Sequence, residues 1–89
     1  NLPMSKFYQR NIVYETRKSC VYHDKKQQTL TVYRKGVSVS NPDSAYTADI
    51  DGLSIALARA DWIARVGDLP RLPLHTPQQL KIICTAYCI

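Results

Sequence analysis

The spacing of apolar residues changes period once along this chain, and that change limits the folds open to it. In the segments before Asn41, apolar and β-branched residues recur at every second position; from Asp49 onward they recur at helical spacing. Period two sends alternate side chains to opposite faces of a strand, whereas a period of 3.6 gathers them on one stripe of a helix. The change falls at Asn41-Pro42-Asp43-Ser44, a turn in which Pro has no N–H to extend a ladder. The expected fold class is α+β: a three- to four-stranded antiparallel sheet followed by two amphipathic helices packed on one face.

The first expected strand is Phe7 to Glu15, with Tyr8, Arg10, Ile12 and Tyr14 on one side and Phe7, Gln9, Asn11 and Val13 on the other. Ser19 to His23 is a second. Thr29 to Arg34 and Val37 to Ser40 read as a hairpin around Lys35-Gly36, with Gly36 supplying positive φ and Val32 facing Val39. Leu30 and Val32 point to the core. A helix is expected over 49–66, with Ile50, Leu53, Ala56, Leu57, Ala60, Ile63 and Ala64 on its apolar arc. Asp51, Ser54, Ala58, Asp61 and Arg65 fill its wet face, and Gly67 ends it. A Pro-rich connector covers 67–75. In Thr76-Pro77-Gln78-Gln79, Thr caps, Pro takes the first helical position and Gln79 completes a capping box. The C-terminal helix, 77–88, then carries Leu80, Ile83, Cys84, Tyr87 and Cys88 as one apolar stripe.

At 89 residues the chain is one small domain with a thin core and little room for a deep cleft. Met4-Ser5-Lys6 reads like a native start, which sets Asn1-Leu2-Pro3 apart and gives an expected domain of 4–89. Apolar runs fall short of a membrane span, and the first residues lack the pattern of a signal peptide. Three cysteines, Cys20, Cys84 and Cys88, cannot all pair within one chain, so reduced, buried thiols and a cytoplasmic setting are expected.

The formal net charge is +5, unevenly distributed. Met4 to Lys35 holds eight basic residues against two acids, whereas Gly36 to Asp68 holds two against five. The basic part also contains Tyr8, Tyr14, Tyr22 and Tyr33. Tyr8, Arg10, Tyr14 and Lys18 share a strand parity, while Arg17, Lys25, Lys26, Arg34 and Lys35 sit in turns at the strand ends. Cations pair with phosphates and tyrosines can stack on bases, so Tyr8, Arg10, Tyr14, Arg17, Lys18, Lys25, Lys26, Tyr33, Arg34 and Lys35 form the candidate binding face. The bland alternative is a solvated basic sheet whose tyrosines cover the core edge. Ile55, Trp62 and Val66 line a second apolar strip beside Arg59. Either the C-terminal segment covers it, or Ile55, Arg59 and Trp62 are an apolar anchor for a partner.

Signals for chemistry are weak. Gly36, Gly52 and Gly67 stand alone, so no glycine loop cradles a phosphate. Asp49-Ile50-Asp51-Gly52 lacks the later oxygen ligands of a calcium loop, and helix capping explains it better. Cys20 and His23, three apart on a strand, point to opposite faces, and no metal or cofactor is expected. The expected protein is not an enzyme.

The layout of Thr29–Ser40, the Asn41–Ser44 turn and the helix over 49–66 resembles small phage-encoded anti-defence proteins, with type I anti-CRISPR proteins as the nearest kind. The resemblance is one of size and architecture over about half the chain and transfers no residue role. It implies a protein that binds a nucleoprotein surveillance complex in the host cytoplasm and blocks it without chemistry. The functional expectation is an interaction protein or inhibitor docking through its basic face on a host nucleic-acid-processing complex. The alternative is a small module binding single-stranded RNA or DNA directly. Either is compatible with a monomer or a dimer.

Overall fold

The computed structural model describes residues 9–65 and 75–89. Four strands, β1 (Ile12–Glu15), β2 (Ser19–Asp24), β3 (Thr29–Arg34) and β4 (Ser44–Thr47), precede two helices, α1 (Ile50–Ala64) and α2 (Pro77–Tyr87). The sheet is an antiparallel meander in the order β1-β2-β3-β4. Helix α1 lies across β2, β3 and β4, and α2 packs beside it. The architecture is therefore the α+β arrangement expected from the change of period.

Val21 pairs with Val32 and His23 with Leu30, so these side chains form adjacent rows beneath the helices. Leu53, Ala56, Leu57, Ala60 and Ile63 of α1 close over them, and Leu80 of α2 completes the core. The alanines let α1 approach the sheet closely. Its first turn comes closer still: a Cβ added at Gly52 would lie 1.8 Å from the Thr47 carbonyl oxygen. Asp49 caps α1 by accepting the Gly52 N–H at 2.7 Å. Helix α2 starts with the capping box read in its sequence, Thr76 and Gln79 each accepting the other's backbone N–H.

Several boundaries differ from expectation. The first strand begins at Ile12 after a 3-10 turn at Gln9–Asn11, and Phe7 and Tyr8 lie outside the described residues. A β-bulge between Ile12 and Tyr14 brings both Val13 and Tyr14 against the core, which breaks the parity that joined Arg10, Tyr14 and Lys18. β2 is buried from Ser19 to His23, on both of its faces.

The largest correction concerns Val37–Ser40, which is not a strand. Gly36 does take positive φ (88°) and Val37 N–H bonds to the Arg34 carbonyl, as the turn requires. Beyond it the chain closes a second turn: Asn41 N–H bonds to Ser38 O, and the Ser38 and Ser40 hydroxyls bond to each other. Such local side-chain bonds compete with a ladder. Pairing resumes only at Asp43 N–H to Val32 O, and Val32 faces Ser44 rather than Val39.

Four helix expectations also change. Ile50, assigned to the apolar arc, is exposed, and Asp61, assigned to the wet face, is only 8% exposed. Helix α1 ends at Ala64 with Arg65 as its C-cap; Val66, Gly67 and most of the Pro-rich connector lie outside the described residues. Cys88 is not on the buried stripe of α2 but is its exposed left-handed C-cap.

Candidate functional site

The fold divides the predicted basic face between two ends of the sheet. Lys25 and Lys26 occupy the β2–β3 turn, and Arg10 precedes the end of β1 that pairs toward this turn. Arg17 and Lys18 occupy the β1–β2 turn at the opposite end, where β3 delivers Arg34 and Lys35. β2 separates these turns by six residues, roughly 20 Å at 3.3 Å per residue.

At the second end four cations surround one open cleft of about 380 Å³, lined by Arg17, Lys18, Arg34 and Lys35 with Val37 and Ile63. The Lys35 N–H bonds to the Lys18 carbonyl at 2.9 Å, fastening the two basic dipeptides together. A hydroxyl network holds the β1–β2 turn. Thr16 Oγ1 accepts the N–H groups of Lys18 (3.2 Å) and Ser19 (2.9 Å). Ser19 Oγ donates to the Ala60 carbonyl in α1 at 2.8 Å, which commits its single proton. The Thr16 hydroxyl must then donate to Ser19 Oγ across their short contact. The turn carrying Arg17 and Lys18 is thus tied to the buried side of α1.

Glu15 pairs with Lys35 at the rim of the cleft. Arg34 donates only its Nε–H, to Asp43 Oδ1 at 3.2 Å. Among the described residues its terminal nitrogens make no hydrogen bond, and Arg17 and Lys18 make no ion pair. Asp43 is fully engaged: Arg59 reaches Oδ2 through Nε at 2.7 Å and Oδ1 through Nη2 at 2.9 Å, and Ser44 Oγ donates to Oδ2 at 2.9 Å. Arg59, Ser44 and Arg34 hold the Asp43 carboxyl well below the usual carboxylate range, outweighing the opposing effect of burial. The carboxylate fixes the Arg34 side chain by one edge and leaves its fork uncommitted.

The remaining predicted residues serve elsewhere. Tyr14 is turned to the helices: its hydroxyl donates to Asp61 Oδ1 at 2.6 Å and its ring meets His75 edge-on at 5.1 Å between centroids. Burial, reinforced by Asp61, pushes the Tyr14 phenol far up, so it stays protonated. Tyr33 pairs with Cys20 across the ladder, and its half-buried phenol is raised chiefly by burial. In the anchor strip, Ile55 is 53% and Trp62 56% exposed, with the Arg59 guanidinium 4.5 Å from the Trp62 ring centre. Neither is covered by the described C-terminal residues, because α2 turns Leu80, Ile83, Cys84 and Tyr87 to the core.

Two sites were missed in the sequence. Asp61 also accepts from or pairs with His75 Nε2 at 2.9 Å, so one buried carboxylate ties β1, α1 and the approach to α2. The i, i+4 pattern around Asp61 gave no sign of this, because both partners are remote in sequence. His23 is 1% exposed, and neither ring nitrogen has a hydrogen-bond partner. Burial and Lys25 lower its pKa, opposed by Tyr87 backbone and Asp24.

The thiols are free: Cys20 is buried, Cys84 half-buried and Cys88 exposed, so only the first meets the expectation of burial. Burial raises the thiol pKa of both Cys20 and Cys84, which disfavours the nucleophilic thiolate. Among the described residues no cluster of His, Cys, Asp and Glu could hold a metal ion, and no helix is long and apolar enough to cross a membrane. In the basic cleft, Arg17, Lys18 and the free fork of Arg34 converge without an ion pair of their own among the described residues. No family model matches the chain, and no curated protein or solved structure matches it either.

Proposed function

We propose that this chain is a non-enzymatic interaction protein that docks through the basic end of its sheet on a nucleic-acid-processing complex. The observation that carries this reading is the convergence of Arg17, Lys18, Arg34 and Lys35 on one cleft. Converging cations, two of which (Arg17 and Lys18) make no ion pair among the described residues while Arg34 and Lys35 pair with Asp43 and Glu15, attract polyanions, accelerate encounter and fix orientation. Inhibition of a host nucleoprotein complex is the role that the resemblance to anti-CRISPR proteins implies, and the exposed Trp62–Arg59 stack supports a protein contact outside the cleft.

Charge reversal at Arg17 and Lys18 tests this reading more cleanly than reversal at Arg34 or Lys35, which also pair with Asp43 and Glu15. Capture from host lysate is compared for the wild type and R17E/K18E, with and without nuclease. A protein complex that survives nuclease and is lost in R17E/K18E supports docking. Capture abolished by nuclease refutes it and favours the direct nucleic-acid module.

A further inference from the structure

The cleft combines three properties that a generic basic surface lacks. The backbone that carries Arg17 and Lys18 is fixed by the Thr16–Ser19–Ala60 network, and Asp43 holds the Arg34 guanidinium by its Nε edge. Its walls are partly apolar, through Val37 and Ile63. It also keeps an anion of its own at the rim, the Glu15 carboxylate on Lys35. A guanidinium with its fork free matches two phosphate oxygens, while lysines act as point charges beside it. The volume, about 380 Å³, falls within the roughly 300–1,000 Å³ of small-molecule sites, which leaves room for more than a phosphate alone.

We infer that this cleft is a phosphate site for single-stranded nucleic acid, seating one backbone phosphate and its attached sugar. Arg17, Lys18 and the fork of Arg34 bind the phosphate oxygens, and the sugar lies against Val37 and Ile63. Glu15 is the internal competitor from which Lys35 is released when phosphate arrives. The inference builds on the docking reading, which places contact at this end of the sheet, and assigns the chemistry that the cleft recognises. An open cleft with an apolar wall suits a flexible strand whose sugar can turn inward, whereas a duplex presents its phosphates on a stiff convex surface.

The test is anisotropy of a short labelled single-stranded oligonucleotide over a range of salt, with folding checked by circular dichroism. R17A/K18A should lower the slope of log K against log salt by up to about 0.7, the value of the one phosphate contact that the cleft makes with a single strand. K25A/K26A removes equal charge at the far turn and should leave most of the slope. E15Q should tighten binding by about two- to fivefold, the value of freeing Lys35 from an exposed ion pair. Inorganic phosphate, followed through the amide resonances of Arg17 and Lys18, should bind more weakly than the oligonucleotide. The inference falls if K25A/K26A weakens binding as much as R17A/K18A, or if E15Q leaves affinity unchanged. It falls equally if polyglutamate or a duplex of the same sequence competes as well as the single strand, or if free phosphate binds as tightly. A cleft that binds oligonucleotide while lysate yields no nuclease-resistant complex would leave this inference standing and remove the docking reading. Nuclease-resistant capture without oligonucleotide binding would do the reverse.

Discussion

Replacing Asp61 separates what helical periodicity says about this residue from what the fold does with it. As a wet-face residue Asp61 would tolerate Ala with a change of at most about 0.5 kcal/mol. In the structure its carboxylate takes the Tyr14 hydroxyl at 2.6 Å and His75 Nε2 at 2.9 Å in a nearly buried setting. Hydrogen bonds to a charged group contribute about 1.5–3 kcal/mol each, and D61A also leaves both partners unsatisfied. Tyr14 and His75 keep some access to water, so about 3 kcal/mol for the whole cluster is a reasonable total. Ala returns about 0.5 kcal/mol of helix propensity, giving a net loss of about 2.5 kcal/mol. For a domain this small that corresponds to a fall in Tm of about 10–20 °C. Urea unfolding by far-ultraviolet circular dichroism measures it. D61N, which keeps one oxygen for Tyr14, should lose roughly half as much. A double-mutant cycle with Y14F should return a coupling of about 1–2 kcal/mol. A D61A loss below about 0.5 kcal/mol, or additive single mutants, would refute the cluster.

Two further outcomes follow from positions with little tolerance. G52A places a methyl group against the Thr47 backbone, so α1 must lift from β4, at a cost of about 3 kcal/mol measured by thermal melting. His23, buried beneath the helices, resists protonation in the folded state while the unfolded chain protonates near pH 6.5. Its contribution is therefore fully present above that pH and is lost as pH falls below it; H23L should flatten the stability profile between neutral and mildly acidic pH.

The sequence made legible whatever depends on neighbours in the chain. The capping box at Thr76–Gln79, the Gly36 turn and the stripe Leu53–Ile63 follow from local chemistry and period. The fourth strand was misplaced because Val37 and Val39 have better β propensity than Ser44–Thr47, while the serines between them prefer to close a turn. The candidate basic residues were visible by type, but their division into two ends was not. Period gives the face of an element and says nothing about which turn it will meet. Lys18 and Lys35 become neighbours only through the β2–β3 register. Asp61 and Tyr14, forty-seven positions apart, were illegible for the same reason.

The meander order β1-β2-β3-β4 also bears on how the molecule assembles. Every strand pairs with the strand just before or after it, so each ladder closes over a short loop, and the entropy lost in closure is small. The sheet can find its register early, but β2 and β3 then expose Val21, Leu30 and Val32 until α1 arrives to cover them. Synthesis from the N-terminus prolongs that interval, since the covering helix is made last among the elements it protects. Rapid pairing and late cover make the half-made sheet the species most exposed to aggregation, and the closure of α1 onto Ser19 and Val21 the step that ends the exposure.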